Sequence, residues 1–595
     1  MHAENALPRP LLPLAVGLIL LALVATGCGM TSTHIPRASD EWSNGKPVGT
    51  AILNNRVGLQ VDEAEDGSVS VFMVWVGLEH KLNFARLNEQ AEVVVQKSLD
   101  LSSDSAQKPQ LLVDSTGQLH LVWLARQEQE ALQLLYARLT TDGEVIGDRS
   151  GEAIALSLPE QEVAHSSMVL DPVGRTVEVF WSDSTPSHPG CYHAALDWSG
   201  NVVAPAEMLI PDGILPVAQA DHEGFVHLAW RVELEDVPEF HYAVYDPQRR
   251  VMGPDTSTGE LVTQASVIGG PTSAARFRGL RLGLDEGSVY LAWVVEVRQR
   301  ADLTSSTFYR AFPQPTLSRG DAADAFHYAL PDVTGEAIHV QGADPSLTGQ
   351  PEFLDGQPPR QVLACYTQVS GPGGAKMLQI AAVDLLDGQV EGQEIVNASH
   401  GASLRPTVVM DASGNLHMAW LDTSGFERYQ VVYASTSPQA KETLNRVTAY
   451  DVVDKALSTV MSILVSFFFT PLILVWMIVP MVWLIAFSWL AENSDTSTLL
   501  GRGALGLAML LQLGTKLSFP DFLSRFPFTF LQSPSLGLLL GRWIVPVFLA
   551  ALSAGVAWAY LKRRRSRSIF GAYFIYAIVD SFLTLVVYVA LPMGW

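Results

Sequence analysis

One spacing recurs three times along this chain and decides its fold. Asp114-x-x-Gly117-x-x-His120-x-x-Trp123 returns as Asp221, Gly224, His227 and Trp230, and again as Asp411, Gly414, His417 and Trp420. Weaker copies carry Asp171, Gly174 and Trp181, then Asp285, Gly287 and Trp293, then Asp66, Gly67 and Trp75. A seventh, degenerate copy is Val362-Leu363-Ala364-Cys365-Tyr366. The aromatic anchors at 75, 123, 181, 230, 293, 366 and 420 lie about 57 residues apart on average. A second strand-like run follows each anchor, as at 134–139, 240–245 and 430–434. Each unit reads as strand, Asp-x-x-Gly turn, strand, loop, strand, turn, strand. Glycine supplies the positive φ of the turn and aspartate bonds its backbone. The strands are short, β-branched and aromatic, and apolar on both faces, as stacked blades require. Residues 45–450 are therefore predicted to form an all-β propeller of seven blades. A stack of β-sandwiches competes, but it needs about 100 residues per domain and so two repeats for each.

The repeats resemble blades of bacterial propellers grouped loosely with sialidases and related surface proteins. The resemblance covers about 400 residues and implies a fold, not an activity. The Ser-x-Asp-x-Gly-x-Thr-Trp box of sialidases is absent, and so is their early Phe-Arg-Ile-Pro motif; Ile35-Pro36-Arg37 has the wrong order. No arginine triad or tyrosine nucleophile is carried over. Strand alternation puts His120 on the face opposite Trp123. His120, His227 and His417 are expected to be packing residues, each imidazole bonded to nearby backbone, because ring symmetry holds them apart. Cys191 and Cys365 fall in strand-like runs on different repeats and are expected to be buried free thiols.

Charge divides the chain. Residues 31–450 carry 27 Lys and Arg against 54 Asp and Glu, a net of -27; residues 451–595 carry 10 against 6. An acidic repeat domain excludes nucleic-acid binding, which needs a basic face. Leu11–Val24 is almost wholly apolar and runs into Ala25-Thr26-Gly27-Cys28. Residues 1–28 therefore read as an export signal. The ending is similar to a bacterial lipobox, which would acylate Cys28; ordinary cleavage and an uncleaved anchor are the alternatives. Residues 29–44 read as a linker.

Four apolar stretches, 457–490, 499–517, 535–561 and 569–592, are expected to cross a membrane as a helical bundle over 451–595. The first holds Pro471 and Pro480 and is either one kinked helix or a hairpin. The cluster Lys562, Arg563, Arg564, Arg565 and Arg567 should be cytoplasmic. With the propeller outside, that holds only if the first stretch crosses once. Asp580, in the last stretch, is expected to pair with Arg542 or to bond a neighbour when protonated. The reading places the propeller on the outer side of a bacterial cell membrane.

Function in such a propeller belongs to the unequal loops after the anchor strands. Candidates there are Arg126, His188, Arg231, Glu233, Glu235, Asp236, Glu296, Arg298 and Arg300. Their acids suit Ca²⁺ or acid–base chemistry, but without fixed spacing they read first as solvated charge. No nucleotide, zinc-protease or nucleophile-elbow motif is present, so no cofactor and no metal are expected. The function expected is a non-catalytic binding or assembly module for a membrane or envelope partner. A surface hydrolase or lyase acting on glycan, or a ligand-sensing receptor with a partner subunit, are the alternatives.

Overall fold

The computed structural model describes residues 38–446 and 470–588, apart from segments of which the longest are 261–273, 320–325, 329–336, 349–359 and 519–542. Residues 35–370 with 376–446 form one compact unit, and 447–595 belong to another. The first is the predicted seven-bladed propeller. Its innermost strands, blades 1 to 7, are Gly58–Glu63, Gln107–Val113, Val163–Asp171, Ile214–Ala220, Ala274–Leu284, Ala343–Leu347 and Ser403–Met410. Neighbouring innermost strands pack against one another all the way round, blade 7 against blade 1 included. Lys46–Ala51 pairs antiparallel with Tyr429–Ser435 and becomes the outer strand of blade 7. The last blade is thus made from both ends of the domain. A short helix, α1 (Pro438–Leu444), follows it, capped by Ser437.

All seven anchors lie on the second strand of their blades. The tryptophans fill the gaps between sheets: Trp123 of blade 2 lies among Phe72, Val74 and Phe84 of blade 1. Cys191 and Cys365 are buried free thiols, as expected. The stretch 311–360 supplies the last strand of blade 5, Ile338–Val340, and the first of blade 6.

The histidines are packing residues, but their partners are side chains rather than backbone. His120 Nε2 lies 3.1 Å from Asp114 Oδ2, and Nδ1 lies 2.8 Å from the Tyr136 hydroxyl. His227 joins Asp221 and Tyr242, and His417 joins Asp411 and Tyr433. One turn aspartate thereby ties three strands of its blade. The other blades answer the same demand differently. Blade 1 has Phe72 and Phe84, in ring contact, where blade 2 has histidine and tyrosine. Blade 3 reverses the order, with Glu178 bonded to His193 Nε2 at 2.6 Å. Blade 5 joins Tyr290 directly to Asp285.

The described residues of the second unit form four further helices: α2 (Thr470–Leu490), α3 (Leu499–Leu517), α4 (Val545–Arg564) and α5 (Ile569–Leu585). Three fall within the expected stretches, and α4 overlaps the stretch 535–561 and runs on to Arg564. Among the described residues one helix, Val545–Arg563, is long and apolar enough to cross a membrane by length and composition. The unit's polarity is inverted relative to a water-soluble bundle. Gln512, Lys516, Ser553, Asp580, Ser581 and Thr584 are buried, while Val482, Trp489, Leu510, Phe548, Trp558 and Ile578 are exposed. Asp580 is partnered across helices by Lys516; Arg542 lies outside the described residues. Lys516 on α3 bonds both Asp580 oxygens, at 2.7 and 2.9 Å, and Thr584 Oγ1 at 3.0 Å. Gln512 donates to Asp580, and Tyr573 donates to Gln512. Lys516 is four residues on from Gln512, so both reach α5 from one helical face.

Two outcomes follow from these networks. Burial, against the pull of Asp114, holds His120 below its usual value. Burial would raise Asp114, but bonds from Thr116, His120 and the Gln118 backbone outweigh it and hold the carboxyl low. The histidine contribution is complete above about pH 6.5 and falls as pH drops through that value; the aspartate contribution is lost below about pH 4. Acid unfolding followed by tryptophan fluorescence should begin near pH 6.5, and the double change His120→Phe with Tyr136→Phe, the pairing of blade 1, should lessen that first part. In the helical unit, Lys516→Met alone should cost about 3–5 kcal/mol, and Lys516→Met with Asp580→Leu far less; thermal unfolding in detergent measures both.

Candidate functional site

Local irregularity builds the site. Six innermost strands shift register near their starts: blade 3 by a shorter step between Val163/His165, and five by wider bulges between Gln107/Gln110, Ile214/Val217, Arg278/Arg281, Ala343/Ser346 and Leu404/Thr407. Inside each wider bulge one residue has positive φ: Lys108, Leu215, Gly279, Asp344 and Arg405. Only one is glycine, so four side chains hold a conformation that costs roughly 1–2 kcal/mol each. Bulges of this kind re-aim side chains. Three of the four, Lys108, Asp344 and Arg405, are charged, and Arg56, His165 and Arg281 come from the same level of three other blades.

Arg56 is the hub. Its Nη2 donates to Asp344 Oδ1 at 2.6 Å, to the Asp344 carbonyl at 2.9 Å and to the Pro345 carbonyl at 2.6 Å. Its Nη1 donates to the Pro406 carbonyl. Arg405 Nη1 lies 3.2 Å from Asp344 Oδ2, yet 40% of its side chain stays open to solvent. Lys108 Nζ reaches across to the Ala164 carbonyl at 2.7 Å. Arg281 lies within electrostatic reach of Arg56, Asp344 and Arg405.

The charges do not cancel. Burial would raise Asp344, but Arg56, Arg405 and Arg281 outweigh it and hold the carboxyl low. Burial, then Arg405 and Arg281, lowers the Lys108 ammonium. Burial and the crowding of Arg56 and Arg405, eased by Asp344, push Arg281 down to about 9, still protonated at neutral pH. Burial, then Lys108, Arg281 and Arg231, pushes His165 down to about 3, so it is neutral. Three arginines therefore converge on one carboxylate among the innermost strands of an acidic propeller, and Lys108 adds a fourth positive charge beside two of them. Tyr366 of blade 6 joins them, its hydroxyl raised by burial and by Asp344, with Glu296 in reach.

Most sequence candidates fall outside this cluster. Arg126 makes an exposed ion pair with Glu162 at 3.2 Å. Glu233 pairs with Arg231 at 2.5 Å. Arg231 also bonds the Phe277 carbonyl at 3.0 Å and acts on His165, so it borders the cluster. Glu296 pairs with Arg278 at 3.2 Å. Arg298 pairs through its backbone with Ala274 and Leu303. Lys562 and Arg563 are exposed and Arg564 ends α4. Cys28, His188, Glu235, Asp236, Arg300, Arg565 and Arg567 lie outside the described residues. Loop reasoning missed Arg56, Lys108, His165, Arg281, Asp344 and Arg405. A signal was present: Lys108, His165 and Arg405 each stand six residues before the repeat aspartates Asp114, Asp171 and Asp411. Among the described residues no three His, Cys, Asp or Glu side chains are grouped to hold a metal ion.

No protein-family model and no curated protein matches this chain. Among solved structures it is similar to the polysaccharide lyase Uly1, with 9% identity, 65% of this chain and 91% of that one covered, and a TM-score of 0.40. It is similar to the Hadza microbial sialidase Hz136, with 12% identity, 60% and 74% covered, and a TM-score of 0.34. A third is Penicillium chrysogenum α-L-arabinanase complexed with arabinobiose, with 10% identity, 68% and 98% covered, and a TM-score of 0.34. Likeness at this level concerns the fold alone.

Asp344→Asn should expose what the carboxylate does. With the charge gone, the arginines repel one another, and stability should fall by about 2–4 kcal/mol at neutral pH. Added sulfate should recover part of that loss, as thermal unfolding with and without the anion would measure.

Proposed function

We propose that this protein is a membrane-embedded binding protein whose propeller holds an anionic ligand at its axis. The observation that carries this reading is the meeting of Arg56, Arg281 and Arg405, from three blades, around the single carboxylate of Asp344, with Lys108 of a fourth blade in reach of Arg281 and Arg405. Guanidinium groups match carboxylate and sulfate geometry with paired donors. A net positive pocket in a low-dielectric setting favours an anion far more than the same charges would in water. The surrounding domain, with its net of -27 over 31–450, repels long polyanions. The ligand class that suits both facts carries one or two anionic groups on a mostly neutral body, such as the end of an acidic glycan. The inverted helical unit supports immersion in lipid, because buried polar groups and exposed apolar ones suit a solvent of hydrocarbon. A bacterial cell membrane, with the propeller on its outer side, is the location within this proposal.

A second reading, glycan cleavage, draws on Tyr366 and Glu296 beside the same cations. The raised Tyr366 hydroxyl suits a proton donor rather than a nucleophile.

Full-length protein in detergent should bind uronic-acid oligosaccharides and should not bind neutral oligosaccharides of equal length, measured by calorimetry. Arg281→Met and Arg405→Met should each weaken binding about 10–100-fold, and salt should weaken it too. Equal binding of acidic and neutral sugars would end the reading. Product formation that is lost in Tyr366→Phe would favour cleavage.

A further inference from the structure

His165 stands apart from the other inward histidines of the propeller. His120, His193, His227 and His417 each offer a ring nitrogen to a carboxylate. His165, at the start of the innermost strand of blade 3, is only partly buried. Among the described residues neither of its ring nitrogens has a hydrogen-bond partner. Cations face it from three elements: Lys108 from blade 2, Arg231 from the second strand of blade 4 and Arg281 from blade 5. The Lys108 ammonium is anchored beside it, on the carbonyl of Ala164. Across the strand pair its register partner is the neutral Ser182.

Resting on the anion-binding reading above, we propose that His165 couples ligand binding at the propeller axis to the uptake of one proton. Without ligand, burial and the three cations hold the imidazole neutral, down to about 3. A bound anion offsets the field of those cations. The imidazole then takes a proton from solvent and becomes a further charged donor to the same anion. The balance is simple: anion and proton enter together, and both leave together. Binding is thereby strengthened by acid, in contrast to the fold, which acid weakens through His120. If the anion restores the imidazole to its ordinary value of about 6.5, affinity rises roughly tenfold for each pH unit below it. The ligand itself contributes nothing to this dependence when the probe is sulfate, which keeps both charges across the range.

The test is sulfate binding to the full chain in detergent, by calorimetry in two buffers of different ionisation enthalpy, from about pH 7.5 to about pH 5.5. Uptake approaching one proton per sulfate near the acid end, with affinity rising roughly tenfold, is the expected result. His165→Gln should bind sulfate with no uptake and with affinity independent of pH. Sulfate bound without proton uptake by the unaltered protein, or with the same uptake by His165→Gln, would overturn the role of His165 and leave the anion site standing. No sulfate bound at any pH would overturn the anion-binding reading, and this inference with it. The proton count of the unaltered protein needs no variant, so a misfolded substitution leaves the test intact.

Discussion

The ring must close before this propeller has a site at all. Closure is made by Lys46–Ala51, which enters the sheet of blade 7 beside Tyr429–Ser435. Arg56 follows that strand by only a few residues and bonds the Pro406 carbonyl, 350 residues away in sequence. The most local consequence of closure is thus the most functional contact in the molecule. Loop-closure entropy grows only slowly with length, and the hydrogen bonds of one added strand, with the packing of Trp75 and Trp420 beside it, are set against that cost.

Charge is handled in opposite ways at the two levels of each blade. Where the innermost strand ends, Asp114, Asp221 and Asp411 accept from turn backbone and meet histidine Nε2, and each histidine's Nδ1 meets a tyrosine hydroxyl. Where it begins, Arg56, Arg281 and Arg405 share Asp344, and positive charge is left over. Satisfied burial makes the first level a framework. Unsatisfied charge makes the second an anion trap. The left-handed backbone at Lys108, Asp344 and Arg405 fits the same division, because strain is tolerated where the surrounding framework over-determines it.

The helical unit uses yet another arrangement. Lys516 places its three N–H donors on Asp580 and Thr584, so an ion pair that would be costly alone is closed upon itself. Such a saturated pair fixes the register of α3 against α5 and leaves the outer faces to apolar side chains.

The sequence by itself determined the blade count, the anchor positions and the helical stretches. Each follows from short-range periodicity: an Asp-x-x-Gly turn, a two-residue alternation and an apolar run act within one hairpin or one helix. It also determined that the histidines are internal, since alternation sets their face. It did not reveal that their partners are Asp and Tyr, because Tyr136 lies 16 residues from His120, and only strand register joins them. Nor did it reveal Lys516 as a partner of Asp580, for the same reason: Lys516 ends a stretch that reads as a span, and helix packing alone brings it to Asp580. The cluster was legible only as a base six residues before the turn aspartate in three repeats, at Lys108, His165 and Arg405. Whether those bases diverge or converge is not a property of any one repeat. Only the closed ring, with its bulged strands, decides it, by placing blades hundreds of residues apart on a common axis.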